Sequence, residues 1–268
     1  MAVNTQGLIA ELDWNTGRAT RYDTRYYSGI GFPSGFRTIG AAGEGPLFVG
    51  LYEFLPSGGV GYRLRKLDPG TLLSASPSVG LGIDSGFDEL DVESTSGQLY
   101  GLYGYVGPRF LATIHPDTGQ FITQIPLVDL PTDAYFSAFA FHENGTPYIL
   151  DIRGNRLWSI DKTNGEILST TSIVPSWPHP GTPTWSGGEA GMDFHPQSGT
   201  LYVTVARELY TLDPSTGMTS LIGSLGTSLP TFFGSLNEGL AFVEVPEASS
   251  FVLLACFFGA VTLTVRRR

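Results

Sequence analysis

The side chains able to do chemistry gather around short β-prone runs. Asp88, Glu89, Asp133, Glu189 and Glu238 lie at or shortly before the runs ELDV, AFAF, GMDF and GLAF. Carboxylates brought to one mouth could hold a divalent cation or raise one another's pKa. The plainer reading is a solvated acidic rim on a chain of net charge −10. A second set is aromatic. Trp177, His179 and Trp185 share the loop 174–189 with four prolines. Two indoles on one loop could stack on a ligand such as a sugar ring. They could equally cover the end of a core, with the prolines stiffening the chain. Loops on a rigid scaffold are where function concentrates, so this face is the candidate ligand surface.

The remaining chemistry is sparse. His142 and His195 occupy the same place in a repeat and read as structural, and His115 and His179 stand apart. No two histidines have metal-ligand spacing. No Gly-x-Ser-x-Gly elbow, phosphate-binding loop or His-Glu-x-x-His helix is present. The expectation is therefore a binding protein that needs no cofactor. The alternative is an extracellular enzyme (a lyase, hydrolase or metal-dependent esterase) working from an acidic mouth.

What must position these groups is a repeat. Four short runs recur, called a to d here, as in GMDF, TLYVTV, ELYTLD and TSLIGSL. The turn between c and d is the clearest marker: LDWNTG at Leu12, LDPGT at Leu67, IHPDTG at Ile114, IDKTNG at Ile160 and LDPSTG at Leu212. In this turn Asp accepts backbone N–H bonds and Gly takes the positive-φ position that opens the next strand. Too few carboxylates accompany it for a calcium loop. Run a recurs at Ile39, Leu90, Phe139, Met192 and Leu240. Four antiparallel strands repeated about every 50 residues predict an all-β propeller. Complete sets run over 36–80, 87–128, 135–174 and 187–225. LIAELD and RATRYDTRYY near the start, with GLAFVEV near the end, make a composite set, giving about five blades closed by N- and C-terminal strands. The composite set is short of residues in its second strand. Met1–Trp14 also has no apolar signal region, so residues upstream of Met1 are expected. The repeat resembles the YVTN/NHL/quinoprotein-like group of bacterial propellers. The tryptophan of the quinoprotein docking repeat is missing, so no quinone is expected.

The chain thus divides into a propeller, residues 1–244, and a tail, residues 245–268. The tail reads Val245, Pro246, Glu247, then an uncharged apolar span over 248–265, then Arg266, Arg267 and Arg268. Such a span is long enough to cross a bilayer as one helix, and the arginines would stay on the cytoplasmic side. This order resembles the PEP-CTERM sorting tail of exopolysaccharide-producing Gram-negative bacteria, with Ala248 in place of the family's second proline. The resemblance implies an exosortase as partner, residence in the inner membrane before processing, and a cell-envelope or extracellular destination afterwards. Exopolysaccharide is the further partner it suggests. The single cysteine, Cys256, lies within the span, which leaves the propeller without disulfides. The acidic balance repels phosphate backbones and argues against nucleic acid.

Overall fold

A computed structural model describes residues 2–3, 9–16, 18–23, 36–41, 45–54, 60–68, 71, 75, 77–81, 87–104, 108–175, 190–205, 208–225 and 239–242. Their elements are all strands: β1 (Ala2–Val3), β2 (Ile9–Leu12), β3 (Ala19–Asp23), β4 (Phe36–Gly40), β5 (Leu47–Phe54), β6 (Val60–Leu67) and β7 (Val79–Gly80). There follow β8 (Phe87–Glu93), β9 (Gln98–Tyr103), β10 (Phe110–Ile114), β11 (Phe121–Pro126), β12 (Ala138–Phe141), β13 (Pro147–Asp151) and β14 (Arg156–Ile160). The last are β15 (Ile167–Ser172), β16 (Ala190–Phe194), β17 (Leu201–Val205), β18 (Glu208–Leu212), β19 (Thr219–Ser224) and β20 (Gly239–Leu240).

Four sheets use strands consecutive in sequence: β4 to β7, β8 to β11, β12 to β15 and β16 to β19. Each is an antiparallel meander. A further four-stranded sheet has the order β20-β1-β2-β3. There the two ends of the described chain meet, with Ala2 opposite Leu240 and Val3 opposite Gly239. This is the composite set that the repeat pattern calls for. The first strands pack in a circuit, β4 on β8, β8 on β12, β12 on β16, β16 on β20 and β20 on β4. The protein is an all-β propeller.

Burial follows position in the blade. The inner strands β12 and β16 are buried throughout, whereas the outer strands β11, β15 and β19 are exposed or half-buried along their length. β12 has a neighbouring inner strand on each side, so its run is apolar and does not alternate. The core is accordingly a series of blade-to-blade contacts. One cluster joins Ala138, Leu150 and Leu157 to Met192, Val203 and Leu212, and another joins Leu102, Leu111 and Tyr100 to Phe139, Ile149 and Trp158.

The marker turns have the expected chemistry. Thr163 donates its backbone N–H (2.8 Å) and its hydroxyl (2.7 Å) to Asp161 Oδ1. Gly165 closes the turn at φ 80°, its N–H donating to the Asp161 carbonyl at 2.8 Å. Asp213 repeats this with Ser215, Thr216 and Gly217. His115 substitutes in the third marker, where its Nδ1 accepts the Asp117 N–H at 3.2 Å. The turn also has a role that local chemistry does not reveal. A Cβ on Gly165 would land on the Pro126 carbonyl, and one on Gly217 on the Ser172 carbonyl. Each marker glycine is thus pressed against the end of the preceding blade's outer strand. Val128 and Val174 then donate their N–H groups to the carbonyls of Gly165 and Gly217, at 3.1 and 2.8 Å.

The apolar span and the arginine cluster lie outside the described residues. Among the described residues no helix is long and apolar enough to cross a membrane, which says nothing of spans formed by strands.

Candidate functional site

Alternation along β8 places Glu89, Asp91 and Glu93 on one face, with Leu90 and Val92 on the other. All three acids are buried. Asp91 has a counterpart in Asp193, at the same place in β16. The corresponding positions in the other inner strands and at β20 hold Gly40, Ala140 and Ala241. A Cβ on Gly40 would meet the Asp91 Cα at 2.7 Å.

The two aspartates bond alike. Asp91 Oδ1 accepts the N–H of Val92 and Oδ2 the N–H of Phe141 in the next blade, both at 2.7 Å. Asp193 Oδ1 accepts the N–H of Phe194 at 2.7 Å, and Oδ2 the N–H of Phe242 at 2.5 Å. Each side chain thus satisfies two amide donors and ties its inner strand to the next. Both face a cavity of about 110 Å³ lined by Ala41, Asp91, Phe141, Asp193 and Phe242. These residues come from the ends of all five strands or segments of the inner circuit, so the cavity lies at the hub. Ser94, Glu143 and His195 complete its polar side-chain lining. Burial pushes the Asp91 carboxyl well above the usual carboxylate range, and the charge of Asp193 pushes the same way. Burial raises Asp193 to about 7, against the pull of its two amide bonds and of the N-terminal charge.

Second ties flank the hub. Lys162, in a marker turn, pairs with Glu93 of the preceding blade, and Lys66 pairs with Asp117. Burial opposes ionisation of Glu93, but bonds from Lys162, Ser96 and Thr95 hold its carboxyl below the usual range. His142 and His195 are packing groups. Each Nδ1 accepts a backbone N–H within its own turn, from Asn144 and Ser198 respectively. Their rings pack edge-on against Phe194 and Phe242, with centroids 4.9 and 5.0 Å apart.

Of the acids named from sequence, Glu89 is 5% exposed within β8 and does not stand on an open rim. Asp133 is exposed and pairs with Arg156 at 3.2 Å, while Arg156 also grips the fully buried Asp151. Asp133 belongs to the β11–β12 connection, where three residues each meet an arginine from a neighbouring turn or strand end. Besides the Asp133–Arg156 pair, Arg153 lies 3.9 Å from the Tyr135 ring centroid and Arg109 4.4 Å from that of Phe136. The connection is therefore a polar and aromatic rim, and the loop 174–189 is the equivalent connection one blade on. Trp177, His179, Trp185, Glu189 and Glu238 lie outside the described residues, as do Val245, Pro246, Glu247, Arg266, Arg267 and Arg268. Only the backbone of Asp88 is described. Among the described residues no group of three or more His, Cys, Asp or Glu could hold a metal ion. Sequence reasoning passed over Asp91 and Asp193. Their signal was an acid in the middle of an apolar inner run, at one repeat position in two blades.

No family model and no curated protein matches the sequence. Among solved structures, the chain is similar to a glutaminyl cyclase from Myxococcus xanthus, with TM-score 0.54 and 14% identity over 74% of this chain and 77% of that one. It is also similar to a protein of unknown function from Bacteroides caccae, with TM-score 0.45 and 11% identity over 81% and 70% of the two chains. A virginiamycin B lyase from Staphylococcus aureus gives TM-score 0.40 and 9% identity over 70% and 69%. The likeness to the Myxococcus xanthus structure carries the fold and nothing of the chemistry: this chain folds as a β-propeller.

Proposed function

We propose that the chain is an exported β-propeller of the cell envelope or extracellular matrix, with the composite sheet as its fifth blade. In this reading residues 248–265 hold it in the inner membrane, and an exosortase recognises the tail 245–268 and releases or relocates the propeller. The observation that carries this is the order of the tail: Val245-Pro246-Glu247, an uncharged apolar span, then three terminal arginines. The propeller itself would be a non-catalytic module that binds matrix polysaccharide.

Support for binding comes from the rim of the β11–β12 connection. Arg153 stacked on Tyr135 and the exposed Asp133 are groups that suit sugar hydroxyls and rings. Trp177 and Trp185 would extend that rim by one blade. The acids at the hub favour the same reading, because Asp91 and Asp193 are already engaged by two backbone amides each. A catalytic acid or base needs a proton path to substrate rather than a fixed structural bond.

The test is retention of the purified chain on exopolysaccharide from a producing strain. Replacing Trp177 and Trp185 together by Ala should abolish most of the retention. Unchanged retention in that variant would remove the binding half of the proposal.

A further inference from the structure

The hub poses an electrostatic problem that the strand ties alone do not explain. Asp91 and Asp193 come from strands that are not neighbours in the circuit. β12 stands between them on one side, and β20 with β4 on the other. Those intervening positions hold Ala140, Ala241 and Gly40, none of which offers a countercharge or a side-chain donor. Ala41 at the end of β4, Phe141 on β12 and Phe242 beyond β20 bring only apolar side chains to the cavity. Its further titratable lining is Glu143, from the β12–β13 turn, and His195, from the β16–β17 turn. On β8 itself Glu89 and Glu93 share the face of Asp91, and Glu93 is paired with Lys162. No lysine or arginine lines the cavity among the described residues, and the positive charge that acts on Asp193 is the N-terminal ammonium, which favours its ionised form. Two ionised carboxylates, both buried, would therefore face one small cavity.

The circuit closes where the two ends of the described chain meet, with β20 paired to β1 and packed between β16 and β4. The Asp193 carboxylate reaches across this junction and holds the Phe242 N–H. One of the two acids that would repel each other is thus also the clasp on the closing segment.

We propose that Asp91 and Asp193 form a proton-binding latch at the hub: they hold one proton between them in the closed ring, and loss of that proton loosens the closing strand β20. The neutral member still accepts amide bonds through its carbonyl oxygen, so both ties persist while one charge is removed. With the pair fully ionised, the repulsion acts directly on the carboxylate that clasps Phe242 across the closing junction. The raised values of the two groups set the direction. The folded chain takes up more protons than the unfolded chain between the ordinary Asp value and about 7. Stability is therefore greatest at the acid end of that window and is lost as pH rises through about 7. Within the window the folding equilibrium constant should fall by up to about tenfold per pH unit. The latch does not rest on any reading of the tail.

The experiment uses the full chain in neutral-detergent micelles. Denaturant midpoints and amide exchange of Phe242 and Phe141, corrected for intrinsic rates, are followed from about pH 5.5 to about pH 8.5. The wild-type midpoint should fall across this range, and Phe242 should lose protection before Phe141. Asp193→Asn keeps an oxygen for the Phe242 N–H and removes the charge, so it should flatten the profile and raise the midpoint at the alkaline end. Should that variant not fold, infrared spectra of the wild type labelled at aspartate carboxyl carbons decide. A protonated carboxyl band that disappears as pH rises past neutrality supports the latch. A wild-type midpoint and Phe242 protection that do not vary with pH, a slope that survives in Asp193→Asn, or the absence of a protonated band near pH 6 would each overturn it.

Discussion

Two glycines with nearly the same backbone angle should respond differently to the same substitution. Gly199 closes the β16–β17 turn at φ 66°, and Gly217 closes the β18–β19 marker turn at φ 74°. A Cβ on Gly199 meets nothing within 4 Å, whereas a Cβ on Gly217 lands on the Ser172 carbonyl of the preceding blade. Alanine at either position takes on the left-handed penalty, about 1–2 kcal/mol. At Gly217 the neighbouring backbone must also move, and with it the Val174 N–H bond to the Gly217 carbonyl at 2.8 Å. Overpacking of this kind costs about 1–3 kcal/mol, and a strained hydrogen bond adds roughly 1 kcal/mol. Gly217→Ala should therefore lose about 3–6 kcal/mol, against about 1–2 kcal/mol for Gly199→Ala. Urea unfolding of the two variants at one pH measures the difference. Equal losses would refute the claim that marker glycines serve as contact points between blades.

Two more outcomes follow from the ties between blades. Lys162→Met should cost about 2 kcal/mol, because it strands a buried Glu93 carboxylate while its own partly exposed ammonium is only moderately desolvated. That loss should shrink in the acid range, because Glu93 without its partner takes up a proton at higher pH than in the parent chain. The marker turns should fail on the acid side instead. Bonds from Ser215 and Thr216 hold the Asp213 carboxyl down to about 2, so its contribution is full above the ordinary Asp value and is lost as pH falls through about 2. A titration of Asp213 by carboxyl carbon NMR that gave an ordinary value would contradict this.

The ring was largely legible in the sequence because a propeller repeats its solution. Run a was read at Ile39, Leu90, Phe139, Met192 and Leu240, and all five are buried on inner strands or at the closing strand. The marker turn was legible because its chemistry is local: Asp161 and Gly165 lie within one turn and need no distant partner. What stayed hidden depends on the neighbouring blade. Phe141 lies 50 residues beyond Asp91, and Phe242 lies 49 beyond Asp193, so the amide that explains each buried acid is a full repeat away. The pressure of the Ser172 carbonyl on Gly217 is hidden for the same reason. Attention to acids at strand starts also drew Glu89 and Asp133 together as one mouth. Glu89 lies buried within its strand, and Asp133 belongs to an arginine-bearing connection. A one-dimensional pattern gives the phase of a side chain on its strand but not the charge it meets across a blade interface.

The central claim is that the chain is exported and handed to an exosortase, and the most direct measurement is the intact mass of the protein recovered outside the cytoplasm of a strain that carries such an enzyme. The account predicts a chain ending within a few residues of Glu247, lacking the apolar span and Arg266–Arg268. A chain that retains Arg268 in that strain, or that stays in the cytoplasm, would contradict it.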